Sequence, residues 1–173
     1  MNSPPTKAAP DRSLHAYLWW ATTIAWAATI FRFSTVTYAG WFTAWALHGI
    51  LDFLHIPLSP DGFETLHNLI RKLAHVTEYT MLGLLLYGSF SGGRDFSWRS
   101  RTALLCFAIA ALYSLTDEFH QWFVPGRGAS LVDCGIDASG VALGLVLLYL
   151  RHRLSLSKAG IRALPAPSAA AEK

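Results

Sequence analysis

Apolar residues along this chain come in long unbroken runs, not in the alternation of a half-buried strand. Residues 14–31 (LHAYLWWATTIAWAATIF) carry no formal charge. Residues 72–90 (KLAHVTEYTMLGLLLYGSF) are polar in their first half and apolar in their second. Residues 102–124 are uncharged up to Asp117, and residues 131–150 are uncharged after Asp137. A helical span needs roughly 20 residues, so each run is long enough to cross a bilayer. Helices satisfy their own backbone hydrogen bonds in lipid, and open strands do not. The pattern predicts an all-α membrane protein with four transmembrane helices, at about 14–31, 72–90, 102–124 and 131–150.

A fifth helix is expected in the connection between the first two spans. WFTAWALHGILDFLHI (41–56) places Trp41, Trp45, His48, Asp52 and His55 at helical spacing and stops before Pro57 and Pro60. It is short for a span, and Trp and His suit the headgroup zone. An outer interfacial helix or a re-entrant one fits. Asp61 and Glu64 then resemble a capping-box start for a helix running into the second span.

Composition agrees. The chain has 173 residues, 53% of them hydrophobic and 14% charged, against about 25% charged in a typical soluble domain. This length suits one membrane domain, 14–152, between disordered tails at 1–13 and 153–173. The start resembles a signal peptide. Its apolar run of 18 residues is longer than the usual 7–15 and has no clear cleavage site, which favours a retained helix.

Charge orients the bundle. Lys7, Arg12, Arg94, Arg99, Arg101, Arg151, Arg153, Lys158, Arg162 and Lys173 fall on one side, ten of the fourteen basic residues. Arg32, Arg71, Lys72 and Arg127 fall on the other. The positive-inside rule puts both termini in the cytoplasm, here of a bacterial inner membrane, with the 116–133 stretch outside. Cys106 and Cys134 lie roughly 20 Å apart in depth, too far for a disulfide. The chain has no basic stripe for nucleic acid and no Walker, Rossmann or Gly-x-Ser-x-Gly motif.

The polar residues inside the spans carry the candidate chemistry. Glu78, Glu118 and Asp137 each lie six residues, about 9 Å, below the outer end of their helix. His75, Asp117, His120, Gln121 and Asp133 lie within about a turn of that level, with Lys72 and Arg127 above. Ionisable groups are costly against lipid and usually face a bundle interior or a wet cavity. Asp117 and Glu118 also stand near a helix C-terminus, where the macrodipole disfavours negative charge. These spacings predict one polar site. His75, Glu78, Asp117, Glu118 and Asp133 are its candidate acid–base residues. Lys72, Tyr79, His120, Gln121, Arg127 and Asp137 are its candidate substrate-binding residues. The excess of acids calls for a shared proton or a bound cation. A divalent cation on His75, Glu78, Glu118 and Asp133 is one option, with Arg127 and Lys72 on a phosphate.

Two stretches, RKLAHVTEYTMLG (71–83) and DEFHQWFVPGR followed by Asp133 (117–133), resemble the hallmark motifs of VanZ-like membrane proteins. On that match His75, Glu78, Tyr79, Asp117, Glu118, Gln121, Arg127 and Asp133 occupy motif positions. Asp137 stands where the family commonly has Asn. The resemblance implies a four-helix membrane layout and a link to teicoplanin-type glycopeptide resistance, and implies no particular reaction. Three functions fit the residues. The first is action on, or recognition of, a cell-envelope lipid or lipid-linked glycan. The second is a non-catalytic factor that binds an antibiotic or a partner protein. The third is a proton- or ion-coupled carrier, which the absence of ionisable groups in the inner half-helices disfavours. Partners are the lipid or lipid-linked precursor, with a homodimer as an open option.

Overall fold

A computed structural model describes residues 12–34, 41–93, 96–123 and 130–162, the side chains of Arg12 and of residues 159–162 excepted. Five helices and no strand are found among the described residues: α1 Arg12–Ser34, α2 Trp41–Phe53, α3 Pro60–Phe90, α4 Ser100–Gln121 and α5 Leu131–Arg162. Ser100–Gln121 and Leu131–Lys158 are long and apolar enough to cross a membrane.

Several boundaries differ from expectation, each for a local reason. α3 does start far ahead of residue 72, but its cap is Ser59 and not Asp61. The Ser59 Oγ accepts the Gly62 N–H at 3.2 Å, and Pro60 opens the helix. α2 stops at Phe53, short of 56, because His55 turns into the left-handed region (φ 54°) and the Ile56 N–H closes on the Leu51 carbonyl at 3.0 Å. α4 ends at Gln121 instead of 124. α5 runs to Arg162, past the expected end of the span at 150 and into the tail expected to be disordered from 153.

The core lies where α3, α4 and α5 meet, around Tyr79, Leu82, Leu86, Cys106, Ala110 and Val141, with Ile30 added from α1. Its inner residues are often small or polar, while leucines such as Leu104, Leu112 and Leu147 are exposed. That distribution suits a bundle whose outer surface meets hydrocarbon, where packing of small residues holds helices together. Gly140 and Gly144 form such a face. A Cβ on Gly140 would stand 2.5 Å from the Val76 carbonyl oxygen, and one on Gly144 would stand 2.7 Å from that of Thr80. The Thr80 hydroxyl donates to the Gly140 carbonyl at 2.9 Å across the same seam. This small-residue face is therefore spent on packing α5 against α3.

α1 joins through polar contacts. The Trp26 Nε1–H donates to the Glu78 carbonyl at 2.9 Å, the Thr23 and Ser89 hydroxyls meet at 2.8 Å, and the Tyr113 hydroxyl donates to the Ala27 carbonyl at 2.7 Å. The Tyr87 hydroxyl donates to the Ser97 carbonyl (2.7 Å) and accepts the Arg99 N–H (2.8 Å), pinning the α3–α4 turn. α2 rests on the first turns of α3. His48 stacks on Phe63 with ring centroids 3.8 Å apart, and Thr43 meets the His67 Nε2 at 3.0 Å. Leu47 and Leu51 of α2 are buried, whereas Trp41, Phe42, Trp45 and Phe53 are exposed. The two cysteines are unpaired, as their expected depths require.

Candidate functional site

Three helices bring their polar residues together, and the acids fall into two groups with different partners. The first group joins α3, α4 and α5. The His75 Nδ1 lies 3.2 Å from the Asp137 Oδ1. The Ser114 hydroxyl donates to the other oxygen, Oδ2, at 2.6 Å. Asp137 is fully buried, while the His75 side chain is 21% exposed. The Nε2 edge of the ring has no partner among the described residues and is left toward solvent. A carboxylate that accepts the Nδ1–H fixes the ring's orientation and leaves the Nε2 lone pair outward.

His75 also lines a cleft of about 90 Å³ with Asn68, Arg71, Lys72, Asp133 and Ile136. Arg71 and Lys72 form no ion pair with Asp133 or any other acid among the described residues. The cleft is therefore lined by two cations that form no ion pair among the described residues, by one acid, Asp133, and by a histidine. Glu78 sits one helical turn from His75 and is half-buried. It is close enough to His75 to act on it electrostatically.

The second group is sealed inside the bundle. The Asp117 Oδ2 accepts the Ser34 hydroxyl at 2.7 Å and the Gln121 amide at 3.0 Å, tying the end of α1 to α4. The Glu118 Oε2 accepts the Ser130 N–H at 2.8 Å and so holds the start of α5 against α4. The other oxygens, Asp117 Oδ1 and Glu118 Oε1, are buried without a hydrogen bond among the described residues, as is the Tyr79 hydroxyl. That hydroxyl faces Ser114 but makes no bond of ordinary geometry with it. Buried carboxylates with neutral donors on one oxygen are positioned, but they are not open to a ligand as His75 is.

The sequence expectation treated these residues as one site, and the structure places them unevenly. His75, Lys72 and Asp133 line the cleft, with Asp137 directly behind His75. Asp117, Glu118, Gln121 and Tyr79 are inside the bundle. His120 packs against Phe31 of α1, ring centroids 4.5 Å apart, away from the cleft wall. Arg127 lies outside the described residues. Among the described residues, no three His, Cys, Asp or Glu side chains gather as a metal would need, so the set His75, Glu78, Glu118 and Asp133 does not converge there.

Three participants were missed. Ser114 was readable: 114, 117, 118 and 121 share one helical face, a polar stripe on an otherwise apolar helix. Asn68 follows from extending that logic back along α3, one turn before Arg71 and Lys72. Ser34 has no signal in the sequence, because its partner is 83 positions away.

The resemblance seen in the motifs agrees with the family comparison, in which the VanZ/LLP1 model matches residues 19–152. The chain belongs to the VanZ/LLP1 family. No curated protein and no solved structure matches it. The VanZ/LLP1 match spans α1 through most of α5 and contains every residue of both acid groups. With two helices long and apolar enough to cross a membrane, it marks a membrane protein.

Proposed function

We propose that this VanZ/LLP1 protein is a four-span protein of the bacterial cytoplasmic membrane that binds the phosphorylated headgroup of an envelope lipid or lipid-linked glycan in the His75 cleft. α1, α3 from about residue 72, α4 and α5 cross the bilayer, both termini are cytoplasmic, and α2 lies in the outer interface with its tryptophans among the headgroups. The ten-to-four split of basic residues supports this orientation.

One observation carries the reading: a histidine held by a buried aspartate lines a cleft in which two cations outnumber one acid and form no ion pair among the described residues. A phosphate needs cationic donors, and the Arg71 guanidinium supplies a planar fork with Lys72 beside it. Asn68 adds a neutral donor. His75, with its Nδ1–H on Asp137, presents Nε2 to whatever the cations hold and exchanges a proton there as general base or acid. Asp117, Glu118 and Gln121 fix α1, α4 and the start of α5 around this wall. Action on a lipid-linked precursor at the outer face is the route by which such a protein would confer resistance to teicoplanin-type glycopeptides.

The test is binding in nanodiscs of a polyprenyl phosphate against the corresponding polyprenyl alcohol. The phosphate binds and the alcohol does not. Arg71→Gln and Lys72→Gln each weaken binding about tenfold, the value of a charge-assisted hydrogen bond. Equal binding of alcohol and phosphate would sink the proposal. If His75→Asn keeps the ligand and the cellular resistance phenotype, the site recognises its ligand without proton transfer.

A further inference from the structure

The His75 cleft holds more than a phosphate would ask for. Its residues divide by helix and by chemistry. Asn68, Arg71, Lys72 and His75 follow one another at helical spacing along one stripe of α3. Asp133 and Ile136 face them from the start of α5. Arg71 and Lys72 carry only N–H donors, and the Asn68 amide can add another. A carboxylate such as that of Asp133 carries only acceptors. The His75 ring, with its Nδ1–H on the Asp137 carboxylate, turns its Nε2 lone pair outward as a further acceptor.

Asp133 is the residue that a simple anion site does not explain. It shares the cleft with two cations and pairs with neither of them. Its carboxylate makes no hydrogen bond among the described residues, unlike those of Asp117, Glu118 and Asp137. Asp137, one turn further along the same face of α5, is occupied by His75 and Ser114. Asp133 and Arg71 are half-buried, and opposite charges that stay apart in one cleft remain available to a ligand. A bare phosphate gains from Arg71 and Lys72 but meets like charge at Asp133, a juxtaposition that works against binding.

We infer that the cleft selects a headgroup in which a primary ammonium lies close to the phosphate. The phosphate rests on Arg71, Lys72 and Asn68, and the ammonium donates to Asp133 and to the His75 Nε2. This rests on the phosphate reading above and narrows it to amine-bearing headgroups. A zwitterion satisfies the donors of α3 and the acceptors together. A phosphate alone leaves Asp133 unmatched, and an amine alone leaves two cations unmatched. The same chemistry has two sources: an ethanolamine phospholipid, or an amino sugar beside the phosphate of a lipid-linked glycan.

Two matched ligand pairs, titrated against the full chain in nanodiscs of phosphatidylcholine, whose choline has no N–H to give, test it. One pair is phosphatidylethanolamine and its N-acetyl derivative. The other is polyprenyl phosphoglucosamine and its N-acetyl derivative. In at least one pair the free amine binds about tenfold more tightly, the value of a charge-assisted hydrogen bond. The pair that discriminates names the source. Asp133→Asn loses that preference and binds the N-acetyl form more tightly than the parent does, because the repulsion on the phosphate is gone. A preference that survives Asp133→Asn is one of size and not of charge, and overturns the inference. Equal binding within both pairs also overturns it; if polyprenyl phosphate still outbinds its alcohol, the phosphate reading stands without it. If the alcohol binds as well as the phosphate, that reading falls and the inference falls with it.

Discussion

The seam between α3 and α5 and the seam between α1 and α4 both bury an aspartate, and they use it differently. α3 and α5 approach by backbone: Gly140 and Gly144 leave no room for a side chain, and the helices touch at the Val76 and Thr80 carbonyls. Once the glycines set that distance, Asp137 meets His75 with one oxygen and Ser114 with the other. α1 and α4 are joined instead by the hydroxyls and carbonyls of Ser34, Asp117, Tyr113 and Ala27. There the aspartate is itself the fastening. An acid is available for chemistry when other contacts hold the helices, and is consumed by architecture where it is itself one of the fastenings.

The contrast can be broken most forcefully at the glycines. Gly140→Leu should cost about 3 kcal/mol or more, because side-chain atoms would have to displace backbone and not a flexible side chain. Loss of a monodisperse peak in size-exclusion chromatography is the expected result; a folded variant with normal thermal stability would show that the seam is not set by close approach. Next comes Asp117→Ala, which takes the acceptor from the Gln121 amide and leaves the Ser34 hydroxyl only its longer bond to the Ile30 carbonyl at 3.2 Å. At about 1–3 kcal/mol for each buried group left unsatisfied, thermal unfolding should move down clearly while phosphate binding in the folded fraction persists. Ser34→Ala removes one of the two donors and should cost about 1 kcal/mol. A loss as large as that of Asp117→Ala would mean that Gln121 contributes nothing.

The smallest stability effect belongs to the most informative variant. Asp137→Asn keeps shape and both hydrogen-bond positions, so unfolding should shift by less than about 1 kcal/mol, the cost of one exchanged hydrogen bond. An amide, however, can present either a donor or an acceptor to His75, and no longer dictates which ring nitrogen carries the proton. Nitrogen-15 spectra of labelled histidine should show His75 as a single Nδ1–H tautomer in the parent and as a mixture in the variant. An unchanged tautomer would show that Asp137 packs against the ring without governing it.

Much of this was readable beforehand, for physical reasons. Uncharged runs of spanning length betray the helices, because burying a charge in apolar surroundings is costly wherever it occurs. The common level of Glu78, Glu118 and Asp137 was argued from a fixed rise per residue below expected ends at 72, 124 and 131; of those ends only Leu131 is a helix end, since α3 starts at Pro60 and α4 stops at Gln121. Rotation did not follow. Six residues below a helix end fixes height, but whether a carboxylate looks into a cleft or toward another helix depends on axial orientation, and this separates His75 from Asp117. Pairings such as Ser34 with Asp117 depend on which helices are neighbours, and hydropathy does not say. The substitution of Asp for the family's usual Asn was visible at 137 in the sequence; its meaning came only with the ring of His75 at 3.2 Å.

One more property follows from the uninterrupted course of α3. Its 31 residues make a rod about 46 Å long, longer than the roughly 30 Å of a bilayer's hydrocarbon. The surplus begins at Ser59 and bears α2 through His48 on Phe63 and Thr43 on His67, and the same rod holds Asn68, Arg71, Lys72 and His75. No hinge separates the two. Whatever rests on α2 is therefore joined by one continuous helix to the wall of the His75 cleft.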